Sequence, residues 1–276
     1  MMKNKRILLY ILSFTFVILL YQNCFAFREL PVKKIKVAVT TSHLSSIIQD
    51  ICQDKVEVIT ILPPTVCPSS YDIDANKIKE ISKANVLMYH YWQKDEAKEL
   101  KRKIYKLGII YREIKTEGNF MIPYINLRAA EEIKNLFIVW DSDNKDFYEN
   151  NFVNYAYKIN NLSEEISKNH SIRYNKNTIC HTKIADFLQW LGFNVVMKYN
   201  KPENISPDEM KMLIKKAQNE NVSIVIDNLQ IGTDIGRTLS QDLKIKHTVI
   251  SNFPLGNSYF STLKDNISKI DKALQQ

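Results

Sequence analysis

The sequence predicts an α/β protein of two doubly wound lobes, each built on a four-stranded, mainly parallel sheet, joined by a long rigid helix. Strand-like runs alternate with amphipathic helical runs in both halves of the 276-residue chain, which is typical of parallel sheets covered by helices. Hydrophobic residues make up 45% of the chain, which excludes a disordered protein. Neither glycine nor proline occurs from Tyr124 through Leu191, which argues against a flexible linker between the halves.

Residues 1–26 have the pattern of an export signal. Basic residues among the first six precede the apolar run Ile7–Leu20, whose length suits a secretory signal better than a membrane span. Cleavage is predicted before Phe27. A lipid anchor on Cys24 and an uncleaved membrane anchor are the alternatives. In all three cases the rest of the chain lies outside the cytoplasm, in the periplasm or on the outer face of the cytoplasmic membrane.

The N-terminal lobe is predicted over residues 27–144. Strands are expected at residues 35–41, 56–62, 86–89 and 109–112, and helices at 43–52, 74–85 and 94–106. Helix 43–52 carries its apolar residues at i, i+3, i+4 and i+7, which marks one buried face. Helix 94–106 holds the densest basic run, and its apolar stripe indicates a solvated outer face. The net charge of +8 therefore does not indicate a nucleic-acid partner.

A long connecting helix is predicted over residues 145–170, followed by a C-terminal lobe over residues 171–276. The helix is indicated by aromatic and aliphatic residues at helical spacing between Phe147 and Ile166. In the C-terminal lobe, strands are expected at residues 178–181, 194–197, 222–227 and 247–251, and helices at 183–191, 207–218, 233–243 and 258–274.

Three of the five histidines lie where predicted strands end. His43 follows the first strand, His90 the third, and His181 ends the fifth. Ligands of doubly wound sheets bind at the carboxyl ends of the strands, and imidazole is a common ligand of zinc. A capping or core role is the alternative for each histidine. Asp227, at the end of the seventh strand, could equally ligate a metal or cap its loop.

Cysteine usage leaves the pairing of thiols open. Outside the signal the chain has Cys52, Cys67 and Cys180, so one disulfide and one unpaired thiol are expected in an oxidising compartment. Cys180 and His181 point to opposite faces of a strand, which argues against a catalytic pair. No phosphate-binding loop, serine elbow or zinc-protease motif occurs, so no enzymatic activity is predicted.

The order of several segments resembles the solute-binding proteins of zinc and manganese ABC transporters. The segments include VAVTTSHLSSII, VEVITILPP followed by CPSSYDI, TICHTKIADFLQWLGFNVV, VSIVIDNLQ and SNFPLGNSYFSTLKDNI. The resemblance covers roughly residues 35–275. It implies two α/β lobes, a monomer, and a bound divalent metal, Zn²⁺ first and Mn²⁺ second. It also implies an ABC permease in the cytoplasmic membrane as partner.

The residues at the family's ligand positions depart from its pattern. The usual first histidine precedes a tyrosine, but here Ser69 and Ser70 stand before Tyr71. The second usually follows a proline, where this chain has Tyr124. His181 matches the third ligand, and the fourth, an acid, falls near Asn252.

Two alternatives follow for the cleft that the resemblance implies. In one, a metal site is rebuilt from His43, His90 and His181, with Cys67 or Asp227 as further candidates. In the other, the cleft takes a different ligand or none, and family topology places Cys67 close enough to Cys180 for a disulfide. The chain would then be an interaction protein that kept the fold, or a binder of a small organic ligand. Ser70, Tyr71, Tyr124, Asp227 and Asn252 are the predicted cleft-lining residues.

Overall fold

The computed structural model describes residues 34–105, 108–170, 174–200, 205–256 and 258–275. The predicted export signal lies outside these residues. Their strands form two separate four-stranded sheets, each with all strands parallel. The predicted fold class is therefore confirmed.

The first sheet has the strand order β2-β1-β3-β4. Its strands are β1 (Ile35–Val39), β2 (Val56–Thr60), β3 (Val86–His90) and β4 (Ile110–Ile114), and its helices are α1 (Ser42–Cys52), α2 (Ala75–Ile81) and α3 (Lys94–Ile104). We call this unit the N-terminal lobe. Val37 of β1 is in register with Val58 of β2 and Val86 of β3. Every residue of β3 is buried, as expected of a central parallel strand.

Two consecutive long helices connect the sheets: α4 (Pro123–Trp140) and α5 (Lys145–His170). The sequence predicts α5 but not α4 as a separate helix. The buried face of α4 includes Ala129 and Ala130 beside larger apolar residues, so its apolar periodicity is weak. Proline at the first position of α4 suits a helix start. A backbone N–H at this position would have no partner within the helix, so its absence in proline costs nothing.

The second sheet has the order β6-β5-β7-β8 and forms the C-terminal lobe. Its strands are β5 (Asn177–His181), β6 (Asn194–Tyr199), β7 (Ile224–Asn228) and β8 (Lys246–Ile250), and its helices are α6 (Ala185–Trp190), α7 (Pro207–Asn219), α8 (Asp234–Leu243) and α9 (Tyr259–Gln275). In each sheet the strand order reverses at one point, between β1 and β3 in the first sheet and between β5 and β7 in the second. Two strands lie on each side of that point. None of the helices in the described ranges combines the length with the apolar character that a membrane span requires.

One hydrophobic core runs through both lobes. It contains Val37 of the first sheet, Ile226 of the second, and Phe137 and Ile159 from the connecting helices. Because side chains alternate along a strand, each sheet buries its other face in a separate cluster against its own outer helices. The shared core therefore fixes the two sheets on the same pair of helices.

A buried hydrogen-bond chain links α5 to the loop that precedes α4. The Tyr155 hydroxyl donates to Asn126 Oδ1 at 2.5 Å, and Asn126 Nδ2 donates to the Phe120 carbonyl at 3.1 Å. Both side chains are almost fully buried. This chain of contacts fixes the backbone of Phe120, which lies at the cleft described below.

Replacing Tyr155 with phenylalanine should lower the free energy of unfolding by about 1–3 kcal/mol, because Asn126 Oδ1 would be left buried without a donor. Urea unfolding measures the change. Tyr157→Phe is the matched control, since Tyr157 lies on the same helix and is 68% exposed. Equal stability of the two variants would contradict the assigned role of Tyr155.

The Asp50 carboxyl group on α1 should make stability depend on pH. Burial raises its pKa to about 6, with Lys158 opposing the shift. A raised carboxyl pKa favours the protonated form in the folded state, so stability should fall as the pH rises from about 4 to about 6. Asp50→Asn should therefore raise the melting temperature at pH 7 and change it little at pH 4. Asp54→Asn, at an exposed position, serves as control, and a gain independent of pH would contradict the prediction.

Candidate functional site

A cavity of about 360 Å³ lies between the two lobes. Its walls combine aromatic rings, amides and a few charged side chains. The N-terminal lobe and the loop before α4 contribute His43, Cys67, Pro68, Ser69, His90, Tyr91, Trp92, Glu96, Gly118, Asn119 and Phe120, and the C-terminal lobe contributes Thr182, Lys183, Asp186, Asn228, Gln230, Ile231, Asn252 and Phe253.

The cavity lies where parallel strands end, as expected for this type of sheet. His90 is the last residue of β3, and His43 lies in the first turn of α1, just after β1. From the other lobe, Asn228 ends β7 and Asn252 follows β8. The topology therefore brings residues distant in sequence to one cleft.

His43 and His90 form a pair of buried imidazoles, 4% and 1% exposed. Their ring centroids are 6.2 Å apart. The Phe120 ring lies 5.6 Å from His43 and 4.6 Å from His90. Trp92 stacks on His90 at 5.2 Å. Aromatic rings therefore separate both imidazoles from bulk water.

The environment of His43 determines its protonation state. Its Nε2 lies 2.7 Å from the carbonyl oxygen of Asn252, and a carbonyl can only accept, so Nε2 carries the proton. Burial lowers the pKa of His43 to about 4, although the hydrogen bond to Asn252 opposes the shift. The ring is therefore neutral at pH 7, and Nδ1 bears a lone pair. Nδ1 is buried without a hydrogen-bond partner.

His90 has a similar unpartnered nitrogen. Its Nε2 lies 2.7 Å from the Thr41 hydroxyl. Its Nδ1 is buried and faces the backbone N–H of Gln93 in the turn after β3, but it makes no hydrogen bond of normal geometry. Burial, and secondarily the proximity of His43, lowers the pKa of His90 well below its ordinary value. The cleft thus contains two neutral imidazoles, the form in which histidine binds metals.

His181 does not join this pair. It is buried at the end of β5, its Nδ1 accepts the Lys183 backbone N–H at 3.0 Å, and its ring lies 5.8 Å from that of Tyr199. His181 is not among the residues that line the cavity. Within the described residues, no three histidine, cysteine or acidic side chains are grouped closely enough to hold a metal. The predicted set of His43, His90 and His181 is therefore not assembled.

Asp227 is engaged away from the cleft. Its carboxylate accepts hydrogen bonds from the Tyr199 hydroxyl and from His247 Nε2, the latter at 2.7 Å. A Cβ at Gly236 would lie 2.3 Å from Asp227 Oδ2, so glycine is required for α8 to pack here. Neighbours on β7 face opposite sides, and Asp227 lies on the side of the outer helices. Its predicted place in the cleft is therefore corrected.

The Cys67–Cys180 disulfide is not formed, because both residues are free thiols, as is Cys52. Cys180 lies in the shared core, and burial raises its thiol pKa to about 12. Cys67 lines the cavity, with its Sγ 3.1 Å from the Ser69 hydroxyl. The two cysteines thus lie in different environments, one in the core and one at the cleft.

The remaining predicted cleft residues are placed as follows. Tyr71 packs against the outer core of the N-terminal lobe, and Tyr124, in the first turn of α4, is 57% exposed. Neither lines the cavity, so both predictions are corrected. The side chain of Ser70 lies outside the described residues. Asn252 does line the cavity.

Hydrogen bonds across the cleft join the predicted residue Asn252 to residues that the sequence did not single out. Asn119 Nδ2 donates to the Lys183 carbonyl at 2.9 Å and to Asn252 Oδ1 at 2.7 Å. We call these three residues the Asn119 bridge. Gln230 Nε2 donates across the cleft to the Pro64 carbonyl at 2.7 Å. Hydrogen bonds therefore join the lobes directly beside the cavity.

One sequence signal could have drawn attention to Asn119. It follows Gly118, one of only six glycines in the chain. Gly118 has a φ of +105°, and a Cβ there would lie 2.5 Å from Ile125 Cδ1. Both the positive φ and the lack of space for a Cβ require glycine at this position, so the loop before Asn119 has one defined conformation.

Comparison with known proteins assigns the chain to a family. The profile of the family "Zinc-uptake complex component A periplasmic" (ZnuA) matches residues 37–109 and 120–273. The manganese ABC transporter substrate-binding lipoprotein PsaA of Streptococcus anginosus is 25% identical, over 88% of this chain and 90% of that protein.

Solved structures share the fold. A crystal structure of ZnuA has a TM-score of 0.75 at 17% identity, over 87% of this chain and 99% of that one. The Pseudomonas aeruginosa solute-binding protein FpvC, in complex with Ni²⁺, has a TM-score of 0.73 at 18% identity, over 88% and 97%. The chain therefore belongs to the ZnuA family of metal-type ABC-transporter solute-binding proteins, and it is a binding protein rather than an enzyme.

Proposed function

We propose that this protein captures a divalent cation in the cleft between its lobes and delivers it to an ABC permease. The observation that carries the proposal is the pair of buried, neutral imidazoles in the interlobe cavity. Each has a ring nitrogen without a partner, and an unpaired buried polar atom calls for an explanation, of which a bound ion is one. A metal ion would satisfy both nitrogens.

The donor chemistry favours Zn²⁺ as cargo, with Mn²⁺ second. Imidazole suits zinc and nickel, whereas manganese prefers oxygen donors. His43 Nδ1 and His90 Nδ1 would hold the ion, and water would complete its coordination. The family's name refers to zinc and the streptococcal relative's to manganese, which agrees with this class of cation.

Capture and delivery require an exported protein. The N-terminal segment supports export, and the PsaA relative is named a lipoprotein. We propose that the mature protein is a monomer in the periplasm or at the outer face of the cytoplasmic membrane, where its permease lies. We also propose that the chain divides into an export signal (residues 1–26), an N-terminal lobe (27–144), a connecting helix (145–170) and a C-terminal lobe (171–276).

A small organic ligand is the second candidate cargo. Glu96, Lys183 and Asp186 line the cavity without an ion pair to any described residue. Lys183 Nζ also lies 6.0 Å from the centroid of the Trp92 ring. Unpaired charges of both signs beside an aromatic ring would suit a zwitterion. This alternative needs no contact with the imidazoles, so variants of His90 distinguish it from cation capture.

Zinc titration of the purified protein by calorimetry tests the proposal. We expect saturable binding of Zn²⁺, weaker binding of Mn²⁺, and at least a tenfold loss of zinc affinity in His90→Ala and in His43→Ala, since even indirect partners of a metal contribute about that much. His247→Gln is the matched control, because it removes an imidazole outside the cavity and keeps a donor for Asp227. Absence of binding to either metal, or unchanged affinity in both alanine variants, would contradict the proposal.

A further inference from the structure

The amide of Asn119 joins two loops of the C-terminal lobe to the N-terminal side of the cleft. Its Nδ2 donates to the Lys183 carbonyl, after β5, and to Asn252 Oδ1, after β8. Its Oδ1 accepts the Met121 backbone N–H at 2.8 Å. Both protons and the oxygen of this amide are therefore used, and the side chain has one defined orientation.

Asn252 is held from three directions. Its side chain accepts from Asn119, and its backbone N–H donates to Gln230 Oε1 at 2.9 Å. Its carbonyl oxygen accepts from His43 Nε2 at 2.7 Å. The contact with His43 connects residues 209 positions apart in the chain. The Asn119 bridge is therefore one of the contacts that fix the position of this carbonyl.

Metal-binding histidines usually donate their second ring N–H to a carbonyl or carboxylate, which fixes the tautomer and the orientation of the ring. The Asn252 carbonyl does this for His43. The proton on Nε2 leaves the lone pair on Nδ1, the buried nitrogen without a partner. The C-terminal lobe therefore acts on the imidazole pair through a backbone oxygen.

We propose that Asn119 is a positioning residue for metal capture: by holding Asn252 across the cleft, it fixes His43 in the tautomer whose Nδ1 can bind the cation. The inference rests on the proposed function of the cleft. It makes closure of the lobes and preparation of the ligand a single event, since the same contact serves both. Cargo that binds Nδ1 therefore favours the closed state.

Asn119→Asp and Asn119→Ala test this role. Aspartate keeps the shape and the acceptor for Met121, but it places a carboxylate oxygen against two acceptors and removes both bonds across the cleft. The added negative charge alone would favour cation binding, so a loss of affinity must come from the lost bridge. Alanine removes the same bonds without adding charge.

The first readout is zinc affinity by calorimetry, and the second is the tautomer of His43 from long-range ¹H–¹⁵N spectra, assigned with His43→Ala. We expect both Asn119 variants to bind zinc about tenfold or more weakly and to lose the single Nε2–H tautomer. Asn228→Asp is the charge-matched control, because Asn228 lines the same cavity and its Nδ2 makes no hydrogen bond to any described residue. This variant should bind zinc at least as tightly as the wild type.

The outcomes separate the two proposals. If the wild type binds zinc but the Asn119 variants keep either its affinity or its His43 tautomer, the role of Asn119 is overturned. The proposed function then still stands. Absence of zinc binding in the wild-type protein would refute the proposed function, and the tautomer measurement would still report whether Asn119 controls His43.

Discussion

Both sheets pack on the same pair of connecting helices, α4 and α5, and this shared packing determines where the cleft lies. Residues of β1, β7, α4 and α5 share one core, so the lobes cannot rotate freely without exposing apolar surface to water. The ends of the strands consequently meet across one cleft, where even a 2.7 Å hydrogen bond such as that from His43 to Asn252 can form between lobes. The stiff pair of connecting helices holds the two lobes close enough for this short contact to form.

Burial in this cleft has two opposite effects on histidine chemistry. It removes the imidazoles from water, which keeps them neutral and available to a metal. It also costs free energy, because two ring nitrogens remain without partners. Ligation of a cation would recover that cost. The aromatic rings of Phe120 and Trp92, which exclude water, also limit how many further ligands the protein can supply.

The sequence predicted those features that depend on local periodicity. Strand-and-helix alternation and the glycine-free connection predicted the two sheets and α5, and the strand-end rule selected His43 and His90 for the cleft. Pairings set by tertiary contacts were not predictable. Asp227 stands at a strand end like His90, yet its side chain faces the outer helices and is taken by Tyr199 and His247. The Asn119 bridge joins positions separated by 64 and 133 residues, and no sequence period reports such a contact.

We propose that two imidazoles, without a thiolate, hold the cargo cation. Zinc K-edge X-ray absorption on the zinc-loaded protein distinguishes this ligand set from others, because it counts imidazole ligands and separates sulfur at about 2.3 Å from nitrogen at about 2.0 Å. We expect two imidazoles and a remaining shell of oxygen or nitrogen, with one imidazole lost in His90→Ala. A sulfur ligand from Cys67, or a site without histidine, would contradict it.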